Sequence, residues 1–477
     1  MSAFDCDVVV IGSGFGGSVC AMRCAEAGRR VVVLERGPRI GDAQLRDLAD
    51  GNFPLLRRQG THGIVDLHHP AGLTALTGNA VGGGSHIYTA VTVPAPHEVF
   101  ATGWPRGISR SMLDPHYARV SQMIAPSPIP LDLARTTALE SAGKAMGASC
   151  TRLPVAMNWP NHSDGMTAAP TVTGLRQLAA TWLRGGSHSR KRTLDQTYLR
   201  RAEDLGAEVR PLHAVERIAP REGGGYAVVF ENSSDRGRAV PRELSARRVV
   251  VAAGALNTLR LLFHCRDTVR TLPFISDRLG ERFFTNGDFG ALILGPGLGA
   301  RADSGPPVTA WLDLWHEDRL FLMDTGVWPL GGGLSSISKK LEAAWSFGVM
   351  GFDDTPCRVT STRRGRLRVD RDARLSAGFD ARRMTRLRQL AEALGGTLIA
   401  PPAWFERRMP VTVHPMGGAV MADSPGGGVA DSHGEVFGHR GLFIADASLF
   451  PMPTGVAPSM TIAAMAEHVA ERVIQTC

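Results

Sequence analysis

The chain has little lysine, no closely paired cysteines and no long apolar run, and each scarcity narrows what it can be. Of its 53 basic residues only Lys144, Lys191, Lys339 and Lys340 are lysines, and the arginines are scattered rather than striped. The net charge of +8 therefore permits attraction to anionic ligands without pointing to nucleic acid. Cys6, Cys20, Cys24, Cys150, Cys265, Cys357 and Cys477 are an odd number with no C-x-x-C pair. They read as small buried hydrophobes in a reducing, cytoplasmic setting. No apolar stretch approaches the roughly 20 residues a membrane helix needs. The nearest, 289–300, is interrupted by Gly and Pro. The N-terminus has no basic region ahead of its first apolar run, so no signal peptide is expected.

What is present is a globular composition, 43% hydrophobic and 21% charged over 477 residues. That length suits roughly two to three domains. With 55 Gly and 30 Pro, many tight turns are expected.

The opening is the most informative segment. Asp7–Ile11 is a short β-branched run, followed by Gly12-Ser13-Gly14-Phe15-Gly16-Gly17, a helical pattern over Ser18–Gly28 and a second apolar run ending at Glu35. This is a β–α–β unit with G-x-G-x-x-G at its first turn, the opening of a Rossmann-like α/β fold. Gly12 permits the tight turn, Gly14 lets the backbone approach a pyrophosphate, and Gly17 lets helix and strand pack closely. The helix N-terminus offers unpaired N–H groups to phosphate. Glu35 falls where an acceptor for ribose hydroxyls belongs.

A second glycine cluster, Gly82-Gly83-Gly84-Ser85, suggests backbone laid against a flat or anionic ligand. Residues 209–231 and 240–252 read as strands, and Arg248–Gly254 feeds a helix over Ala255–Phe263. The middle, 300–410, holds Trp311, Trp315, Trp328 and Trp345, the Gly331–Gly333 run and the basic stretch Arg363–Arg368. The tryptophans read as core and the basic stretch as a solvated hairpin. Near the C-terminus a strand ends at Asp446, a Gly455–Pro458 loop follows, and a helix is expected over Ala463–Ile474. The fingerprint alone does not separate NAD from FAD. The distant strand end at Asp446 and the Ala252-Ala253-Gly254 turn favour FAD; an NAD-binding reductase is the rival reading.

On these residues the chain resembles the glucose–methanol–choline (GMC) oxidoreductases, most closely their non-covalent cholesterol oxidase branch. The anchors are Val9–Gly17, Val81–Ser85, Lys191–Leu199, Leu212–Val215, Gly280–Gly287, His414–Gly418 and Asp446–Thr461. Segment 300–400 matches poorly. The resemblance implies an FAD-binding domain assembled from 1–95, 190–295 and 410–477. A discontinuous substrate-binding domain would comprise 96–189 and 296–409, with helices on an antiparallel or mixed sheet. It places Gly12, Gly14, Phe15, Gly16 and Gly17 along the FAD pyrophosphate, Glu35 on the ribose and the Val215 backbone at the adenine. Gly84, Ser85 and Tyr88 would belong to the flavin loop. Asp446, Ala447, Ala457 and Pro458 would complete the cofactor site, with His414 over the flavin as the catalytic base. A neutral imidazole suits that task at neutral pH.

Three departures bear on function. The family's usual Asn or His before the loop proline is Ala457 here, which cannot donate a hydrogen bond. The flavin-loop Asn is replaced by Tyr88, whose hydroxyl is a candidate substitute and catalytic partner. Ile87 stands where some branches attach FAD through His, with His86 one position off, so FAD is expected to be non-covalent. Asp324 lies in the region of an additional acid but has no motif behind it. His62, His68 and His69 cluster without metal-ligand spacing, and no metal is expected. The expected reaction is oxidation of a sizeable alcohol, sterol-like or a secondary-metabolite ring hydroxyl, with electrons passing to oxygen or a carrier. Two alternatives stand beside it: a sugar or aminoglycoside-type polyol, and a lyase- or decarboxylase-type reaction suggested by Ala457.

Overall fold

Val8, Val9, Val10 and Ile11 are buried on both faces of their strand, the pattern of a central strand in a covered parallel sheet. The structure, a computed structural model, describes residues 4–58, 62–130, 132–159, 183, 190–232, 241–295, 306–326, 344–402 and 410–477. In it Cys6–Ile11 lies between Val31–Leu34 and Arg242–Val251, all parallel. Glu208–Arg210 extends the parallel run beyond Val31–Leu34. The far edge of the long strand Arg242–Val251 is shared. Its first half pairs antiparallel with Tyr226–Asn232, and its last three residues pair parallel with Leu442–Ile444. His213–Pro220 closes that side of the seven-stranded sheet.

The register aligns Ile11 with both Leu34 and Val251, and Val251 with Ile444. Four parallel strands therefore end at one level, and ligands bind outside such carboxyl ends. The first helix, Phe15–Glu26, starts three residues before the expected Ser18 because Gly14 already serves as its N-cap. It packs against the C-terminal helix Ser459–Thr476. That helix also starts early, behind Pro458, since proline suits the first turn. Between them the buried Glu467 accepts from Arg23 at 2.6 Å and from the Tyr198 hydroxyl at 3.0 Å.

The second sheet has six strands, every neighbouring pair antiparallel. Their order is Thr397–Ile399, Phe289–Leu294, Ala344–Gly351, Leu320–Asp324, Ala310–Leu314 and Ser149–Arg152. The strand Phe289–Leu294 belongs here, although it lies within the 190–295 stretch assigned by sequence to the nucleotide-binding part. The helices Ala134–Met146 and Ala377–Ala393 pack over this sheet, with Leu312, Trp345, Phe347, Leu387 and Leu390 between them. Trp311 and Trp315 are likewise buried. Trp328 and the Gly331–Gly333 run lie outside the described residues, as does most of 160–189. The basic stretch forms the turn of a hairpin between Arg358–Ser361 and Leu367–Asp370. All seven cysteines are free. Among the described residues no helix is long and apolar enough to cross a membrane.

Candidate active site

A cavity of about 660 Å³ opens at the carboxyl ends of the parallel strands, and the antiparallel sheet supplies its opposite wall through Phe289, Met323, Val349 and Met350. One end is built for a dinucleotide. A Cβ on Gly12 (φ +94°) would lie 2.4 Å from the Ala252 carbonyl oxygen, and one on Gly16 only 1.4 Å from that of Ala445. Both positions press backbone against backbone, which holds the first helix close to the strand ends. Gly14 differs: a Cβ there would meet no protein atom within 4 Å. Its bare backbone faces open cavity, the approach a pyrophosphate requires. Gly83 of the second glycine cluster packs onto Gly14, where a Cβ would come 2.6 Å from the Gly14 Cα.

Glu35 ends its strand with a buried carboxylate. One oxygen accepts from the Ser13 N–H at 3.0 Å and its hydroxyl at 2.7 Å, and the other from the Gly37 N–H at 2.7 Å. Four acceptor positions exist on a carboxylate, so one remains for a ribose hydroxyl. Asp446 accepts from the Gly254 N–H at 2.8 Å, the Thr258 hydroxyl at 2.5 Å and the Ser448 N–H at 2.9 Å. Burial pushes its carboxyl upward against those bonds. It thereby ties the Ala252–Gly254 turn to the Ala447–Leu449 turn. Val215, Gly84, Ala447, Ala457 and Pro458 also line the cavity. These residues fit FAD: an open glycine cradle, an acceptor at the second strand end, and one continuous cavity running from Val215 to His414.

At the other end His414 is 19% exposed and its Nδ1 lies 2.8 Å from Asp288 Oδ1. Asp288 can only accept when ionised, so Nδ1 carries a proton and, in the neutral ring, Nε2 presents its lone pair. The second Asp288 oxygen accepts from the Thr412 hydroxyl at 2.7 Å, the Val413 N–H at 2.9 Å and the His414 N–H at 3.0 Å. Side chain and backbone of His414 are thus held by one carboxylate. Two residues before it, Asn286 donates to the Val456 carbonyl at 2.9 Å and accepts from the Gly455 N–H at 2.8 Å. The Asn286–Asp288 run fixes both the imidazole and the loop carrying Ala457. Sequence reasoning stopped at Gly287 and missed Asp288, one residue further on.

Other expected site residues are placed differently. Gly17 and Ser85 do not line the cavity. A Cβ on Gly17 would fall 2.0 Å from the Gly12 carbonyl oxygen, and the Ser85 hydroxyl donates to Gly82 and accepts from the Leu194 N–H. Both pack the cradle from behind. Tyr88 does line the cavity, its ring 5.6 Å from that of Phe15. Its hydroxyl donates to the Arg192 carbonyl at 2.8 Å, so the phenol proton is not free for a substrate. Burial also drives that hydroxyl well above its usual range. His86 is turned to the Val81 carbonyl at 2.8 Å. Asp324 is fully buried, bonded to Thr309 and 3.5 Å from Arg135, which leaves it no route to act as an acid. His68 and His69 bond Thr77 and Thr74.

Comparison with known proteins gives a consistent picture. Residues 386–466 match the GMC oxidoreductase family and 7–68 match the FAD binding domain family. A cholesterol oxidase of Mycobacterium tuberculosis is 30% identical, with 98% of this chain and 90% of the relative covered. One of Acinetobacter baumannii is 27% identical, covering 98% and 94%. The fold is also that of pyridoxine 4-oxidase from Mesorbium loti, with TM-score 0.72, 16% identity and coverage of 98% and 99%. The protein is an FAD-dependent oxidoreductase. Within that class the chain belongs to the GMC oxidoreductase family, and it is cholesterol oxidase-like.

Proposed function

We propose that the chain oxidises a CH–OH group of a sizeable, partly apolar alcohol, sterol-like or a secondary-metabolite ring hydroxyl, with His414 as base. The observation that carries this is the Asp288–His414 pair at one end of a cavity whose other end is a glycine cradle. Bound FAD supplies the hydride acceptor. The chain's own task is the proton. His414 Nε2 takes it from the substrate hydroxyl, and Asp288, at Nδ1, orients the ring and stabilises the imidazolium. The apolar wall of Phe289, Met323, Val349 and Met350 supports a large substrate, as does the similarity to enzymes called cholesterol oxidases. Non-covalent FAD is supported by Ile87 and by the turning away of His86. Reduced cofactor would pass electrons to oxygen or a carrier. The domains are proposed to follow the two sheets, with 289–294 on the substrate side.

A second reading has one observation in its favour. Ala457 leaves a methyl group where a hydrogen-bond donor to the substrate oxygen is usual, and Tyr88 does not replace it. A lyase- or decarboxylase-type reaction would need no such donor. Anaerobic addition of an alcohol panel separates the two: bleaching of the yellow colour supports oxidation, and product without bleaching supports the second reading.

The test of the base is His414→Ala, expected to lower kcat by roughly 10²–10⁴-fold while flavin content stays unchanged. Asp288→Asn should lower kcat with little change in KM, since it disturbs orientation rather than binding. Full turnover in His414→Ala overturns the assignment.

A further inference from the structure

Outside the cavity lining, histidines gather where the helix Arg110–Ile124 packs on the C-terminal helix. His116, on the first of these, is 6% exposed. Its Nδ1 is buried with no hydrogen-bond partner, an arrangement that costs free energy unless something else satisfies it. His468 and Glu471 lie three apart on the C-terminal helix, so they share a face. One ligand atom from each of His116, His468 and Glu471 lies within 4.8 Å of the others.

The surroundings prepare these groups as ligands. His468 Nε2 lies 3.1 Å from the Ser432 carbonyl oxygen. That oxygen can only accept, so the proton sits on Nε2 and Nδ1 presents its lone pair, as metal-bound histidines generally arrange. His433 stacks on the His468 ring at 4.7 Å and fixes its plane. Glu471 Oε1 accepts from Arg119 at 2.7 Å, leaving Oε2 available. Arg119 also lies 3.9 Å from Glu467, and Arg23 bonds both Glu467 and Glu26, so three carboxylates face two guanidiniums and the cluster carries one net negative charge.

We propose that His116, His468 and Glu471 bind a divalent transition-metal ion of the zinc type, which clamps the two helices together. Two imidazoles and a carboxylate with one open position suit such an ion rather than Mg²⁺ or Ca²⁺. Tetrahedral bonds of about 2.0–2.2 Å require the three side chains to close by on the order of 1 Å. Glu471, half exposed, provides the entry side. The clamp would be structural. The C-terminal helix begins directly behind Pro458 in the cavity wall, and Tyr117 already bonds Thr461 between the same helices at 2.9 Å.

The experiment uses tag-free, flavin-loaded protein, stripped with chelator and titrated with Zn²⁺ against a chromophoric competitor. One equivalent should bind and raise the thermal midpoint. Glu471→Gln, at an exposed position where folding is not at risk, should weaken binding by at least roughly tenfold, a loss seen even for outer-shell changes. His468→Asn should do the same. Flavin content and circular dichroism report folding of each variant. Absence of binding by the wild type overturns the proposal, as does binding that is unchanged in Glu471→Gln.

Discussion

Asp324 has no exposed surface, and its partners are Thr309, through N–H at 2.8 Å and hydroxyl at 2.5 Å, and Arg135 at 3.5 Å. Removing one member of such a pair strands the other in a low-dielectric interior. Asp324→Ala should therefore lower unfolding free energy by about 3–5 kcal/mol in urea titrations, while kcat of the folded enzyme changes little. His68 shows the same physics acting on a proton. Burial holds its imidazole down to about 4, although neighbouring Asp66 pulls the other way. The unfolded chain takes up that proton near the ordinary value of 6.5. Between those values the unfolded state binds more protons, so stability falls as pH drops. The urea midpoint should decline from pH 6.5 toward 4, and His68→Gln should flatten that decline. Asp324's role was not readable from its neighbours because Arg135 comes from another segment, and although Asp66 is two residues from His68, the burial that lowers the imidazole is set by tertiary packing.

Among the elements, the first strand, turn and helix were legible because their residue pattern is local, even though Gly12 and Gly16 pack on Ala252 and Ala445 far along the chain. The glycines there nevertheless do different work, and two variants separate it. Gly16→Ala places a methyl group inside the Ala445 carbonyl and should prevent a stable fold, seen as loss of soluble protein. Gly14 has φ −70° and ψ −165°, which alanine adopts freely, and no protein atom opposes its Cβ. Gly14→Ala should fold with unchanged circular dichroism yet retain less flavin after gel filtration. The antiparallel sheet was far less legible. Its six strands come from five separated stretches between 149 and 399, and no short-range pattern states which of them pair. Asp288 was missed for a related reason: one acidic residue before a strand carries no signal until His414, 126 positions later, is brought beside it.

Across the whole molecule, one cavity is lined by residues of both sheets, and its glycine cradle would hold a dinucleotide. Stability is then linked to cofactor occupancy, by about 2.7 kcal/mol at a hundredfold excess over Kd. Flavin-stripped protein should melt at a lower temperature than the holoenzyme. FAD should restore the midpoint, while FMN, lacking the adenosine half proposed to lie at Glu35 and Val215, should restore it only in part. Equal rescue by FMN would show that the adenosine side at Glu35 and Val215 contributes nothing to binding.

The β–α–β opening and Glu35 at its second strand end could be read along the chain, since they lie close together in sequence, whereas His414 and Asp446 were singled out through the GMC resemblance. The pairing of His414 with Asp288, the burial of Asp324 against Arg135 and the turning of Tyr88 toward Arg192 could not. Each depends on contacts between segments more than a hundred positions apart, which only the tertiary fold brings together.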